Sequence, residues 1–245
     1  MTAELSAGAR AELAPSGVLR AGLNLSNFLL VSQDASGGAP RGIVVDLARE
    51  LGRRAGVPVE FVGYASPGEL ADAAPSGAWD VAFLGAEPAR AKVISFSAAY
   101  LEIEATYLVP AGSPLMTVAD VDRDGVRIAV AARSAYELYL SRTLHHAQLV
   151  QADGIEGSFQ RFVADRLEAL AGLRPRLVSD HEKLPGSRIL EGRFTAVQQA
   201  IGTPCARPAA AEYLRRFAEE IKAGGLVAEI IARNGVRGVS VAQLL

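Results

Sequence analysis

Between residues 42 and 100 the chain passes through helix, strand, helix and strand before it reaches an arginine-bearing loop. Residues 43–55 place Val44, Leu47, Ala48, Leu51 and Ala55 on one helical face, with Arg49, Glu50, Arg53 and Arg54 elsewhere. Gly56 and Pro58 end that helix. Residues 57–64 read as a strand, and Ser66-Pro67 opens a second helix with Pro67 in its first turn, where a missing N–H does no harm. Gly77 stops it, and WDVAFLG (79–85) reads as a buried strand. This alternation predicts an open, mostly parallel α/β sheet. Such sheets bind ligands beyond the carboxyl ends of their strands.

The plan recurs further along. Residues 18–25 form a β-leaning run, and SQDASGGAP (32–40) reads as a loop in which Gly37 and Gly38 supply turn freedom. Residues 125–132 form a strand that enters a helix at Ser134, and that helix runs to about residue 147. Another strand (147–152) and a helix (about 158–170) follow, with a short strand near 167–173 or 174–178. Residues 186–202 read as extended, and the C-terminal part holds two helices divided by Gly224-Gly225. No internal sequence repeat is evident. The extended pieces at about 105–112 and 190–202 suggest two crossings of a narrow waist and a ligand cleft between two lobes. The expected lobes are residues 16–108 with 195–245, and 109–194; residues 1–15 form a short helix or an arm.

Charge excludes some partners. The chain has 25 Lys and Arg against 27 Asp and Glu, a formal net charge of −2, and the basic residues are interleaved with acids. Nothing there draws it to nucleic acid or an anionic membrane. No apolar run reaches the ~20 residues of a membrane helix. One cysteine, Cys205, excludes an internal disulfide. His145 and His146 are adjacent and His181 is distant, so neither a metal nor another cofactor is expected. The N-terminus has Glu4 and Glu12 and no apolar h-region. With Met1 as the native start the expected compartment is the cytoplasm; the alternative is the periplasm, after removal of a signal.

Several motifs stand in a telling order: Gly42-Ile43-Val44-Val45-Asp46-Leu47-Ala48, Gly77-Ala78-Trp79-Asp80-Val81, then Arg90 ahead of Ile94-Ser95-Phe96-Ser97-Ala98-Ala99-Tyr100. Leu108-Val109-Pro110-Ala111-Gly112-Ser113 and the helices from Phe217 to Ile230 complete the series. Over residues 16–237 the chain resembles the solute-binding proteins of the polar amino acid transport family, with the type 2 periplasmic-binding fold. The resemblance implies a two-lobe α/β fold that captures a small polar, carboxylate-bearing solute. It also implies an ABC-type permease as partner if the chain is exported, and a monomer or weak dimer. It maps the carboxylate-binding arginine onto Arg90, whose rigid fork of donors matches two carboxylate oxygens. The hydroxyl pair at the second-lobe helix start maps onto Ser134 and Ala135, so one hydroxyl is lost. The loop LGAEPAR is short and acidic, with Glu87 in place of a hydroxyl, and Leu173 falls near the position that contacts a ligand ammonium.

Each candidate also has a plain structural reading. Arg90 can cap a loop or pair with Glu87. Ser134 can be an N-cap, with Glu137 completing a capping box. Asn27 and Phe28 follow the first strand and can contact a ligand or serve a turn and the core. Gly85 permits close backbone approach or simply makes a turn. Tyr136, like Tyr139, can face a ligand or pack, and Trp79 is expected to pack. Gln198 and Gln199 can be polar contacts at the waist or cap backbone groups. The expected function is noncatalytic solute binding. One alternative is a cyclohexadienyl-dehydratase-like lyase using Glu87 as a cleft acid, and another is a scaffold that has lost its ligand.

Overall fold

A computed structural model describes residues 5–33 and 38–244. The expectations placed on residues 1–4 and on Gly37 lie outside the described residues. The chain divides into two compact units: unit 1 is Met1–Glu102 with Gln198–Leu245, and unit 2 is Ile103–Val197. Unit 1 begins with α1 (Ala7–Leu13), β1 (Leu19–Asn24), α2 (Ile43–Ala55), β2 (Val59–Tyr64), α3 (Pro67–Asp72), β3 (Val81–Gly85) and the first part of β4 (Ile94–Val109). Unit 2 continues β4 and adds β5 (Arg127–Ala131), α4 (Ala135–Thr143), β6 (Gln148–Ala152), α5 (Gly154–Ala164), β7 (Ala169–Leu173), α6 (Arg174–Glu182) and β8 (Arg188–Ile189). The chain returns to unit 1 along β9 (Thr195–Pro204), followed by α7 (Pro208–Ala223), α8 (Leu226–Arg233) and β10 (Val239–Val241).

In unit 1, β1 lies between β2 and β3, parallel to both, with Leu19 opposite Val59 and Ala21 opposite Val81. β9 runs antiparallel against β3, pairing Gly85 with Gln199. Unit 2 repeats the scheme: β5 lies between β6 and β7, parallel to both, and β4 runs antiparallel against β7. Each sheet is therefore mostly parallel, with the antiparallel strand supplied by a crossing segment.

Packing explains the local choices. Trp79 is fully buried and its Nε1 donates to the Leu70 carbonyl at 2.9 Å, which brings the α3 turn down onto β1. Gly22 is needed there, because a Cβ would lie 2.6 Å from Leu70 Cδ1 and 3.3 Å from the indole. In unit 2 Phe159, Phe162, Leu167, Leu170 and Leu177 form the core against β4 and β5. α1 is docked: Ala9 and Leu13 are buried, the helix packs on α7, and the Glu12 carboxylate accepts from Ala210 N in the first turn of α7.

Three boundaries differ from expectation. α4 stops at Thr143 because the Asp122 carboxylate accepts from the backbone N–H groups of His145, His146 and Ala147, which turns the chain toward β6. α5 occupies residues 154–164 rather than 158–170, and a turn through Arg166, at φ 49°, leads into β7. Residues 174–178 open α6, with Pro175 in its first turn, so of the two expected strand positions only 167–173 carries one.

Both sheets are pinned at the amino-terminal ends of their parallel strands. In unit 1 the Asp80 carboxylate, fully buried, accepts from Arg20 N, Nε and Nη2 and from Arg207 Nη1 at 2.6–3.0 Å. In unit 2 Glu168 accepts from Arg127 N, Nε and Nη2 at 2.8–2.9 Å. Among the described residues no helix is long and apolar enough to cross a membrane.

Candidate functional site

The sequence-derived candidates fall at the carboxyl ends of the parallel strands in both units, opposite the Asp80 and Glu168 pins. In unit 1 two loops carry them. Beyond β1, Asn24 Oδ1 accepts from Ser26 N at 3.2 Å and Ser26 Oγ at 2.7 Å, which folds the loop back on itself. Asn27 N donates to Asn24 O, and the Asn27 carbonyl accepts from both Leu30 N and Val31 N. Asn27 is buried and its side-chain Oδ1 has no hydrogen-bond partner among the described residues, while Phe28 is 47 % exposed.

Beyond β3 the chain turns through 86–89. Ala86 N donates to Gln198 O on β9, and the Glu87 carbonyl accepts from Arg90 N and Ala91 N, closing a turn. That turn returns the Arg90 side chain to the end of its own strand, where Nη1 donates to Gly85 O at 2.7 Å. Arg90 is 4 % exposed, an unusual depth for a guanidinium. A buried cation must be met by acceptors, and the Gly85 carbonyl is one. Glu87 itself is half-buried, and Gly85 and Gln199 are buried.

In unit 2 the candidates cluster at the start of α4, beyond β5. Ser134 takes the N-cap position and its Oγ accepts from Glu137 N at 3.1 Å. The expected capping box closes one residue early, because Glu137 Oε2 accepts from Arg133 N rather than from the N-cap N–H. Glu137 is buried and also accepts from Ser141 Oγ at 2.6 Å and Gln151 Nε2 at 2.8 Å, so it ties the helix start to β6. Ala135 and Tyr136 are buried. Burial pushes the Tyr136 phenol up to about 12, so it stays a neutral donor at physiological pH. Leu173, at the end of β7, is buried and offers only its backbone to the start of α6.

Unit 1 thus brings Asn27 and Phe28 onto one loop and Gly85, Glu87 and Arg90 onto another. Unit 2 brings Ser134, Ala135 and Tyr136 together. Sequence reasoning missed Arg133, which precedes the helix at φ 58°. No glycine marks that left-handed position, so only the strand-to-helix junction itself signalled it. The Asp80 of the Gly77–Val81 motif is a structural carboxylate, saturated by two arginines. Among the described residues no cluster of His, Cys, Asp and Glu side chains converges on a metal position.

Solved structures share this fold at low identity. A mutant of ArgBP from T. maritima superposes with a TM-score of 0.75 at 22 % identity, covering 93 % of this chain and 99 % of that one. The solute receptor for L-cysteine of Neisseria gonorrhoeae gives 0.77 at 19 %, covering 94 % and 95 %. The ancestral amino acid-binding protein AncCDT-1, described as a precursor of cyclohexadienyl dehydratase, gives 0.75 at 21 %, covering 92 % and 98 %. Residues 19–235 match the profile of the bacterial extracellular solute-binding proteins, family 3. That match overturns the cytoplasmic expectation, which rested on reading Met1 as a native start; the family is extracellular or periplasmic. The fold is the two-lobe α/β periplasmic-binding-protein fold, and the function is binding of a small polar solute. The chain belongs to the bacterial extracellular solute-binding proteins, family 3.

Proposed function

We propose that the solute carries a carboxylate and that Arg90 is its principal partner. The observation that carries this reading is a guanidinium 4 % exposed, anchored through Nη1 on the carbonyl that ends β3. A buried arginine held in place at a strand end is pre-organised, so less side-chain freedom is lost when a planar anion meets it. The carboxyl end of a parallel strand is also where open α/β sheets bind ligands. Asn27, Phe28, Gly85 and Glu87 would contribute from the same unit. Asn27 Oδ1, buried without a partner, suits an N–H or O–H donor on the solute. Ser134, Ala135 and Tyr136 are the corresponding candidates in unit 2. An ABC-type permease is the partner that would read the loaded state.

Calorimetric titration with L-arginine, L-glutamine, L-cysteine and succinate tests the reading. The expected result is saturable binding of at least one of these, weakened about 100-fold or more by Arg90→Ala and only partly restored by Arg90→Lys, in variants whose circular dichroism matches wild type. Ser134→Ala should weaken the same solute if the start of α4 acts on it. Binding unchanged in Arg90→Ala would overturn the assignment. Flat titrations throughout would favour the scaffold alternative. Steady loss of a cyclic or hydroxy acid in a time course, abolished by Glu87→Gln, would favour the lyase.

A further inference from the structure

A cavity of about 370 Å³ lies wholly within unit 2, at the lower end of the ~300–1,000 Å³ range of small-molecule pockets. It opens between the end of α5, the turn after α6 and the end of β4. Leu108 on β4 pairs with Leu170 near the start of β7, so the cavity sits at the amino-terminal ends of the unit's parallel strands. Ser134 stands at the opposite ends. The cavity is therefore separate from the candidate residues at the start of α4.

Its walls are apolar. Phe162, Leu167 and Leu184 line it and belong to the core or pack on it, and Pro185 and Pro110 close the sides. Val163, 44 % exposed, stands at the mouth. The polar groups on the lining are Ser187 and Arg166. Ser187 is committed: its Oγ donates to Leu184 O at 2.6 Å and lies 2.9 Å from His181 Nδ1.

Arg166 is different. Its backbone is held in the left-handed region at φ 49°, with its carbonyl accepting from Arg127 Nη2 at 3.0 Å. Its guanidinium has no hydrogen bond or ion pair among the described residues. The nearby acids are already paired, Asp165 with Arg161 and Glu168 with Arg127, and Lys183 pairs with Asp180. An uncommitted cation thus stands on an apolar cavity whose surrounding carboxylates are satisfied. An occupant that satisfies both features has an apolar body and one anionic end.

We propose that this cavity is a second ligand site, taking a small monocarboxylate with an aromatic or branched aliphatic body, the body against Phe162, Leu167 and Leu184 and the carboxylate on Arg166. The site does not depend on the assignment of Arg90.

Phenylacetate is the probe, with benzyl alcohol as its uncharged counterpart, titrated into the ¹⁵N-labelled full chain and followed by amide chemical shifts. The expected result is saturable shifts at Phe162, Val163, Leu184 and Ser187, alike in wild type and Arg90→Ala, with benzyl alcohol about tenfold weaker. Arg166→Asn, which keeps a residue tolerant of left-handed backbone, should weaken phenylacetate about tenfold or more and leave benzyl alcohol unchanged. Absence of saturation, equal binding of the two probes, or no effect of Arg166→Asn would each overturn the proposal. Shifts produced by an apolar peptide and not by phenylacetate would put a protein segment there and overturn it as well.

Discussion

Arg20 with Asp80 in unit 1 and Arg127 with Glu168 in unit 2 hold equivalent positions. In each, an arginine opens the central parallel strand and an acid stands just ahead of the neighbouring one. The backbone bonds match too: Asp80 N donates to Arg20 O at 2.8 Å and Glu168 N to Arg127 O at 3.1 Å, while each arginine N–H donates to the acid's carboxylate. The depths differ. The Asp80 side chain has no exposure and collects a second arginine, Arg207, from the start of α7, whose Nη1 also reaches Glu12 O. The Glu168 side chain is 35 % exposed and has Arg127 alone. One device therefore has two weights. In unit 1 it fastens the N-terminal helix and the returning C-terminal segment to the sheet, and in unit 2 it only aligns two strands.

The comparison is broken most directly at Asp80. Asp80→Ala leaves two partly buried guanidinium groups facing an emptied position, and removing one partner of a buried pair costs about 3–5 kcal/mol. Urea unfolding should show a loss of that size, with the signal of unit 1 unfolding first. A loss under about 1 kcal/mol would mean that depth does not separate the two pins.

Two strand glycines sharpen it. A Cβ at Gly22 meets Leu70 Cδ1 at 2.6 Å and the Trp79 ring at 3.3 Å, and that ring is fixed by its bond to Leu70 O. At Gly172 the nearest atom is Leu177 Cδ2 at 2.9 Å, the far end of a side chain that can swing. Gly22→Ala should cost about 1–3 kcal/mol, the usual range for overpacking, and Gly172→Ala clearly less. Thermal melts of the two variants side by side check the order; equal shifts would contradict it.

Legibility in the sequence followed the same division. Periodicity and glycine stops located α2, β3, α7 and α8, because each buries one stripe or one whole run and ends at or just before a glycine. The repeated αβ plan was visible without a sequence repeat. Features set by long-range polar contacts were not visible. Asp122 ends α4 from more than twenty residues upstream, Glu12 caps α7 from the other end of the chain, and Arg207 reaches Asp80 across 127 positions. At the candidate site, Ser134 as N-cap was readable from Ser-x-x-Glu spacing. The anchoring of Arg90 on Gly85 was not, because it depends on a turn closed by the Glu87 carbonyl, a group every residue carries. The compartment was misread for a different reason, since the first residue written is no measure of where a chain is sent.

The smallest effect belongs to Glu168, and pH separates it from mere packing. The Arg127 guanidinium, through its hydrogen bond, holds the Glu168 carboxyl below the usual carboxylate range. A carboxylate depressed in the folded state stabilises that state above its unfolded pKa of about 4.3, and the contribution is lost as pH falls through the folded value. Its partial exposure and solvent screening limit it to about 0.5–1 kcal/mol. Wild type should therefore exceed Glu168→Gln in melting temperature by a small gap that is constant from about pH 6 to 8 and closes below about pH 4. Circular dichroism melts across that range measure it. A gap that persists in acid would show that Glu168 acts through its shape against Arg127 and not its charge, and the two pins would then differ in kind as well as in depth.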